Sequence, residues 1–132
     1  MKHCSICGCQ FDGFGNNSAP LKRGECCKKC DDEVVLPLRL FFAGALKNTL
    51  LVLGEDNGIT YHQITSDHAE LKLLQKLVGG YIELYPYDSD RFYLIVDEDG
   101  YPKNRQFNGL ANEIFNIIAV GNVVVCPKEL FE

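Results

Sequence analysis

The sequence lacks three features, and each absence argues against a class of protein. No apolar run approaches the roughly 18 residues that a membrane-spanning helix needs, so we expect no membrane insertion. The first residues lead into no apolar segment, so a secretory leader is not recognised and a reducing, cytoplasmic compartment is expected. No serine stands in a nucleophile-elbow motif, and no acids form a recognisable catalytic pair. We therefore expect a protein that is not an enzyme.

Clustered positive charge is also scarce. The chain carries a net charge of −5, and its first 33 residues balance five basic against five acidic side chains. Adjacent Lys and Arg side chains occur only at Lys22-Arg23 and Lys28-Lys29. A nucleic-acid backbone is bound by clustered basic side chains. Nucleic-acid binding is therefore not expected, and the composition favours a protein partner.

Cysteine is abundant at the front of the chain. Six of the seven cysteines lie within the first thirty residues, and four of them form the pattern C-x2-C…C-x2-C with nineteen residues between the pairs. This spacing predicts a zinc site made by Cys4, Cys7, Cys27 and Cys30. Four thiolates leave no open position for water, so the Zn²⁺ is expected to be structural. About thirty residues bury little apolar surface, and the metal would supply the missing stability.

The remaining residues of this region leave the ligand set open. The alternatives are Cys26 in place of Cys27, Cys9 in place of Cys7, and His3 as a competitor beside Cys4. The regular two-residue spacing favours the four cysteines of the pattern. Phe11 and Phe14 lie in the loop between the pairs, and we expect both rings to cover the metal site.

The chain is long enough for a mini-domain and one small domain. We predict a four-cysteine zinc module over 1–36, a packed connector over 37–47 and a small α+β domain over 48–132. A short helix is expected after the second cysteine pair, limited by Pro37. The predicted fold class is α+β, with an N-terminal zinc ribbon or treble-clef-like mini-domain followed by a small antiparallel sheet with two helices.

Hydrophobic periodicity defines the elements of the second domain. One helix is predicted with Asp67 as N-cap and Glu70 as its capping-box partner, and Gly79-Gly80 ends it. A second helix, Leu110–Ile118, begins after the cap Asn108. Strands are predicted at 50–53, 59–64, 81–85, 91–96 and 123–126. If the last strand is exposed it could pair across a dimer, so a homo-oligomer is one expected assembly.

Several motifs of the second domain occur in a characteristic order. They are V-G-G-Y-I-E at 78–83, D-E-D-G at 97–100, Asn108, and G-N-V-V-V at 121–125. Over about residues 48–127 this pattern resembles a family of small domains of unknown function in bacteriophages and mobile elements. The stretch 102–106 departs from the family, which has a more apolar Gly-Leu segment there. The front of the chain resembles small zinc modules of phage proteins. The resemblance implies a phage or prophage origin and no particular reaction.

Two functions fit a phage accessory protein of this size. In the first, the protein binds a host protein and blocks or redirects it, which suits an acidic surface and the tyrosines at 81, 85, 87 and 101. In the second, it sequesters a nucleotide signal of bacterial immunity by aromatic stacking and polar contacts. Both are expected at the irregular backbone before the second helix. The candidate ligand-binding or partner-binding residues are Tyr101, Asn104, Arg105, Gln106, Phe107, Asn108 and Asn112.

Overall fold

The computed structural model describes residues 2–21, 24–87, 89–100 and 103–131. The chain forms two compact units, Met1–Leu46 and Lys47–Glu132, and each is described by itself. Helices and an antiparallel sheet make the chain a mixed α and β protein, as the sequence predicts. In the part of the chain that the structure describes, no helix is long and apolar enough to cross a membrane.

Two short hairpins precede a helix in the first unit. The antiparallel pairs are β1 (Lys2–His3) with β2 (Gln10–Phe11), and β3 (Asn16–Asn17) with β4 (Glu25–Cys26). The loop after β3 is fastened to the helix by Arg39, whose guanidinium donates to the carbonyl oxygens of Asn17 (2.7 Å) and Ala19 (2.8 Å). Strands of two residues bury little surface, so such side-chain contacts help to hold the loop in place.

The helix of the first unit passes through the proline that the sequence predicts as its limit. It comprises α1 (Lys28–Cys30), a π-helical segment (Asp31–Val35) and α2 (Leu36–Phe42). A proline ring in a helix clashes with the carbonyl four residues earlier. The wider π-turn just before Pro37 gives the ring room, since the Leu36 N–H bonds to the carbonyl five residues back. The expected limit at Pro37 is therefore wrong.

The second unit is built on a five-stranded antiparallel sheet. Its strands are β5 (Thr49–Leu53), β6 (Ile59–Gln63), β7 (Ile82–Tyr85), β8 (Phe92–Asp97) and β9 (Val123–Pro127). Every bound lies within one residue of the predicted strand, because apolar runs and turn residues alternate clearly in this region. The strand order across the sheet is β6-β5-β9-β8-β7.

One face of this sheet packs against helix α3 (Leu71–Val78). Strand alternation places Leu50, Ile95 and Val124 on that face, where they are buried with Leu74 and Val78 of the helix. Their neighbours along β5 and β9, which point to the other face, are buried as well. Helix α4 (Gly109–Phe115) and a 3-10 turn (Lys128–Leu130) complete the unit.

The last strand lies in the middle of the sheet. β9 pairs with β5 on one side and with β8 on the other, and residues 123–126 are fully buried. The expectation that this strand is exposed and could pair across a dimer is therefore wrong. Cys126 is a buried thiol, as predicted, and burial raises its pKa to about 12.

At the helix ends, one predicted cap is wrong, and the predicted stop and the other cap are confirmed. Helix α3 begins after Glu70, with no side-chain cap, so the predicted cap at Asp67 is wrong. Backbone pairing with the end of the chain competes here, because the Ala69 N–H donates to the Leu130 carbonyl (2.7 Å). Gly79 ends the helix with a φ of 84°, which confirms the predicted left-handed stop. The Asn108 cap of α4 is confirmed as well.

Candidate functional site

The first cysteine pair lies in a tight turn between β1 and β2. The Gly8 N–H donates to the Cys4 carbonyl (2.9 Å), and the Cys4 N–H donates to the Cys9 carbonyl (2.7 Å). Gly8 has a φ of 80°, which a side chain would strain. The N–H groups of Ile6 and Cys7 point at the Cys4 sulfur, at 3.4 and 3.5 Å. This turn presents two sulfurs to one side and stabilises negative charge on Cys4.

The second pair lies at the beginning of the helix. Cys27 is the N-cap residue, with extended backbone (φ −74°, ψ 167°), and Cys30 is buried in the first turn. The hydrogen bond from the Asp31 N–H to the Cys27 carbonyl (2.9 Å) closes that turn. The sulfurs of Cys4, Cys7, Cys27 and Cys30 all lie within 4.8 Å of one another. The chain therefore brings together the four cysteines that the spacing predicts.

The dimensions of this group, the four-cysteine cluster, suit one metal ion. Metal–sulfur bonds of 2.3 Å in a tetrahedron place the sulfurs about 3.8 Å apart. The Cys7 and Cys27 sulfurs are 3.9 Å apart. The side chains of Ile6, Phe11 and Val35 pack against the cluster and limit its exposure to water. The donor set and its spacing fit a thiophilic metal ion.

Electrostatics in the cluster favour a bound cation. Burial by itself raises the pKa of Cys4. Hydrogen bonds from the N–H groups of Cys7, Cys27 and Ile6 have the larger combined effect and lower this pKa to about 6. Burial and the neighbouring thiols raise the pKa of Cys30. Ionising one sulfur therefore makes ionising the next harder, since like charges repel. A divalent cation removes this conflict by compensating all four thiolates.

The alternative ligands lie outside the four-cysteine cluster. Cys26 is fully buried in β4, and burial raises its pKa. Cys9 is exposed, and hydrogen bonds with the thiols of Cys7 and Cys27 raise its pKa to about 12. The ring of His3 lies beside the side-chain amide of Gln10, and Nε2 of His3 is 3.3 Å from Nε2 of Gln10.

The two phenylalanines of the loop differ. Phe11 packs against the cysteines, as predicted. The ring of Phe14 is 99% exposed, so the prediction that it covers the site is wrong. A phenylalanine between two glycines, Gly13 and Gly15, belongs to a turn that carries its ring away from the cluster.

A polar cluster lies at one end of the second unit's sheet. Asp97, at the end of β8, is buried and accepts hydrogen bonds from the Asp99 N–H (2.9 Å) and from Lys103 Nζ (3.1 Å). Arg105 Nε is 3.5 Å from the same carboxylate, an ion-pair distance longer than a hydrogen bond. Burial opposes the charge, but the Asp99 N–H, Lys103 and Arg105 together lower the pKa of Asp97. We call Asp97, Lys103, Arg105 and Glu55 the Asp97 cluster.

The Asp97 cluster ties together three turns. Lys103 Nζ (3.3 Å) and Arg105 Nη2 (3.1 Å) both donate to the carbonyl of Gly79, at the end of α3. Glu55, in the turn between β5 and β6, accepts the Gln106 N–H (2.8 Å) and lies 4.0 Å from Arg105. Two basic groups thus face two carboxylates, and the charges balance within the cluster.

Two asparagines extend this network into the sheet. Asn122 donates to the Leu77 carbonyl and accepts the Glu55 N–H, both at 3.0 Å. Asn108 is fully buried: its amide donates to the carbonyls of Leu53 and Gly121 (2.8 Å each), and its oxygen accepts the Ala111 N–H (2.9 Å). The motif residues noted in the sequence therefore meet at one end of the sheet and hold its turns.

The predicted binding residues are placed as follows. Tyr101 lies outside the described residues. Asn104 occupies a left-handed turn position (φ 56°), Arg105 belongs to the Asp97 cluster, and the Gln106 N–H donates to Glu55 of that cluster. Phe107 is exposed, whereas Asn108 is buried as the cap of α4. Asn112 donates to the Ile117 carbonyl (3.1 Å). The structure thus brings together Arg105, Gln106 and Asn108, while Asn112 serves the C-terminal end of α4.

Exposed apolar side chains lie along β7 and at the start of α3, and the sequence indicates Tyr81 among them but not the two leucines. Tyr81 is 67% exposed, Leu71 is 56% exposed and Leu84 is 42% exposed. A groove of about 210 Å³ beside β7 is lined by Ala69, Leu71, Leu74, Ile82 and Phe131. Tyr81, one residue before Ile82, belongs to the opposite face of the strand. Alternation in β7 shows that Leu84 shares a face with Ile82, and this signal could have identified the surface.

Comparison with known proteins gives one match. A family model described as a domain of unknown function, DUF3846, matches residues 42–129. No curated protein and no solved structure matches the chain. The match covers the five-stranded sheet, the helices α3 and α4, and the Asp97 cluster. It leaves the cysteine pairs outside its bounds.

Proposed function

The chain belongs to the DUF3846 family of domains of unknown function, and we propose that it is a non-enzymatic binding protein. In this proposal it is an accessory protein of a phage or mobile element, and it acts in the reducing cytoplasm of a bacterial host. It binds a host protein and blocks or redirects it. The second unit carries the partner surface, and the first unit contributes a metal-stabilised module.

The observation that carries the proposal is the apolar surface around β7. Large side chains scattered singly on a surface are ordinary, but several exposed together beside a groove are typical of an interaction site. Leu71 and Leu84 are exposed on the face that carries the groove, and Tyr81 is exposed on the opposite face of β7. Tyrosine offers a large contact area and a polar hydroxyl, and it is enriched among residues that dominate binding energy.

The metal of the four-cysteine cluster is Zn²⁺ in this proposal, in a structural role. Four sulfur donors at tetrahedral spacing favour zinc among the abundant divalent cations. One pair comes from a knuckle between short strands and the other from the first turn of a helix. In a zinc ribbon both pairs lie in knuckles, so this arrangement supports the treble-clef alternative for the first unit.

A nucleotide signal is the competing ligand. Phosphate binding needs basic groups whose charge is available. The charges of Lys103 and Arg105 are already opposed by Asp97 and Glu55. A phosphate at this place would have to displace a carboxylate, and this cost favours the protein partner over the nucleotide.

An affinity purification from bacterial lysate tests the proposal. The tagged full chain is compared with Tyr81→Ser/Leu84→Ser, and Phe107→Ser serves as an exposed aromatic control on the same unit. We expect one host protein to be captured in stoichiometric amount by the wild type and the control, and to be lost from the double variant. Mass spectrometry of the denatured wild-type protein is run beside it. A released nucleotide, or no specific host protein, would contradict the proposal.

A further inference from the structure

Strand β7 is an edge of the sheet with one free side. In the order β6-β5-β9-β8-β7, it pairs with β8 and with no second strand among those described. The strand and its neighbours are mostly exposed, and Glu83 is the one charged side chain in residues 81–87. Edge strands are commonly protected from pairing by lysine, proline or a bulge. Between Tyr81 and Tyr85 this edge has none of these.

The hydrogen-bond pattern identifies the groups that face outward. The Glu98 N–H donates to the Tyr81 carbonyl (2.9 Å), so residues 81, 83 and 85 turn their backbone groups toward β8. The alternate residues, Ile82 and Leu84, therefore present their N–H and carbonyl groups to the free side. A strand that added here would bond to these two residues.

The side chains of the same two residues lie on the face that carries α3. Ile82 lines the groove described above together with Leu71 and Leu74 of the helix, and Leu84 follows on the same face. An added strand would place every second side chain beside Ile82 and Leu84, over this groove. Apolar residues at those positions would cover Leu71 and Leu84, which are otherwise exposed.

A second copy of the chain does not suit this edge. When two β7 strands pair antiparallel so that both outward-facing residues of each copy form bonds, Ile82 aligns with Leu84 of the other copy. That register sets the two Glu83 residues directly opposite, with Cα atoms about 4.5 Å apart. Like charges in this position destabilise a sheet. The net charge of −5 adds to the repulsion between copies.

We propose that β7 is a docking edge for an extended segment of a partner protein in which apolar and basic residues alternate. The apolar side chains of the segment cover the groove beside α3, and its basic side chains face Glu83 on the other side of the sheet. The backbone of the segment bonds to Ile82 and Leu84. This inference rests on the proposed binding function and names its surface and the chemistry of its partner.

The test uses the full chain and a capped synthetic peptide, Lys-Val-Lys-Leu-Lys-Val. Its block isomer, with three lysines followed by Val-Leu-Val, has the same charge and composition without the alternation. Amide hydrogen exchange is followed by NMR. We expect the alternating peptide to slow exchange at Ile82 and Leu84 by up to about tenfold, which corresponds to one added hydrogen bond each. The edge strand β6 should be unaffected.

Two proline variants form a matched pair. Leu84→Pro removes an outward-facing N–H from β7 and leaves the bonds to β8 in place, as edge strands tolerate. Gln63→Pro removes an outward-facing N–H from β6. The Ile64 N–H bonds to the Asn48 carbonyl, so residue 64 faces β5 and residue 63 presents its N–H to the free side. Leu84→Pro should lose peptide binding, and Gln63→Pro should keep it. Should Leu84→Pro fail to fold, Glu83→Lys serves instead and should favour Glu-Val-Glu-Leu-Glu-Val over the basic peptide.

The outcomes separate this inference from the function on which it rests. Equal protection by the block isomer, protection of β6 rather than β7, or binding unchanged by both Leu84→Pro and Glu83→Lys would overturn the docking edge. If the host protein captured by the wild type is captured equally by Leu84→Pro, the binding function stands and this edge is not its site. If the wild type captures no host protein, the binding function fails whatever the peptide does.

Discussion

The two units of the chain differ in what fills their interiors. Buried cysteines lie beside a few apolar side chains such as Leu38 and Phe41 in the first unit, whereas the buried side chains of the second unit are mainly aliphatic. Around Val35 the first unit's interior is made largely of sulfur. The interior beside α3 in the second unit is made of leucine, isoleucine and valine. Small folds gain stability from a metal when apolar burial is insufficient, and larger ones do not need it. The comparison predicts that one unit depends on an ion and the other does not.

The largest expected effect tests that dependence directly. Cys30→Ser removes one of four sulfur donors, and bound zinc contributes on the order of 10 kcal/mol to the folding of comparable modules. We expect the first unit to unfold and the second to keep its NMR spectrum. Elemental analysis should give one zinc per wild-type chain and none in the variant.

Cys9→Ser is the control for this change, since Cys9 lies outside the four-cysteine cluster. It should keep the metal and the spectrum. Cooperative loss of both units in Cys30→Ser would show that the comparison between them is wrong.

The second prediction concerns the polar interior of the second unit. Asn108→Ala removes a helix cap and the buried amide that donates to the carbonyls of Leu53 and Gly121. We expect a loss of about 3 kcal/mol in the free energy of unfolding, more than a cap alone contributes. Asn112→Ala, which removes one partly buried bond, should cost about 1 kcal/mol. Urea denaturation measures both, and equal losses would contradict the role given to Asn108.

A third prediction follows from the lowered pKa of Asp97. A carboxyl group whose pKa is lower in the folded state stabilises the fold above its unfolded pKa of about 3.9, and this contribution is lost as the pH falls through the folded value. Asp97→Asn should therefore cost about 2 kcal/mol at pH 6 and less at pH 3.

Denaturant unfolding of both proteins at several pH values measures the difference for Asp97. Taking the difference between wild type and variant cancels the acid loss of metal from the first unit. A cost for Asp97→Asn that stays constant with pH would show that the carboxylate is not paired as described.

The smallest expected effect concerns the two phenylalanines of the first unit's loop, one exposed and one packed against the cysteines. Phe14→Ala should change the stability by less than about 0.5 kcal/mol, because its ring is exposed. Phe11→Ala should cost about 2 kcal/mol, since that ring packs against the cysteines. Thermal denaturation of the zinc-loaded chain ranks the two. If Phe14→Ala also abolishes capture of a host protein, the working surface lies on the first unit instead.

Local patterns predicted the strands and the cysteine group well. Strand alternation and the C-x2-C spacing are properties of neighbouring residues, so each can be recognised without knowing the rest of the fold. The cap at Asn108 can likewise be recognised from the residues next to it. The predicted cap at Asp67 failed because the Ala69 backbone bonds to the far end of the chain instead. Nothing near Asp67 in the sequence signals that contact.

The features that could not be predicted from the sequence depend on contacts between residues that are far apart along the chain. Glu55 and the Gln106 N–H meet although 51 positions separate them. The sequence indicated Arg105 as a binding residue, since an arginine beside aromatic residues is typical of interfaces. It could not indicate that Asp97 and Glu55 already face the guanidinium. Alternation in β7 indicates that Ile82 and Leu84 share a face, but it does not indicate the groove, because Phe131 and Leu71 join Ile82 only in the folded unit.

The π-helical segment Asp31–Val35 bears on which insertions and deletions the first unit tolerates. A π-turn holds one residue more than an α-turn, so deleting a single residue there would let the helix become regular. Because the π-turn holds its extra residue within a single turn, the residues that follow would keep nearly the same orientation around the axis. Leu38 and Phe41, now buried, would keep their places. The cost of this deletion would arise at Pro37, whose ring would meet the carbonyl four residues earlier. A one-residue insertion, which would rotate the following residues by about 100°, is therefore expected to be the more harmful length change.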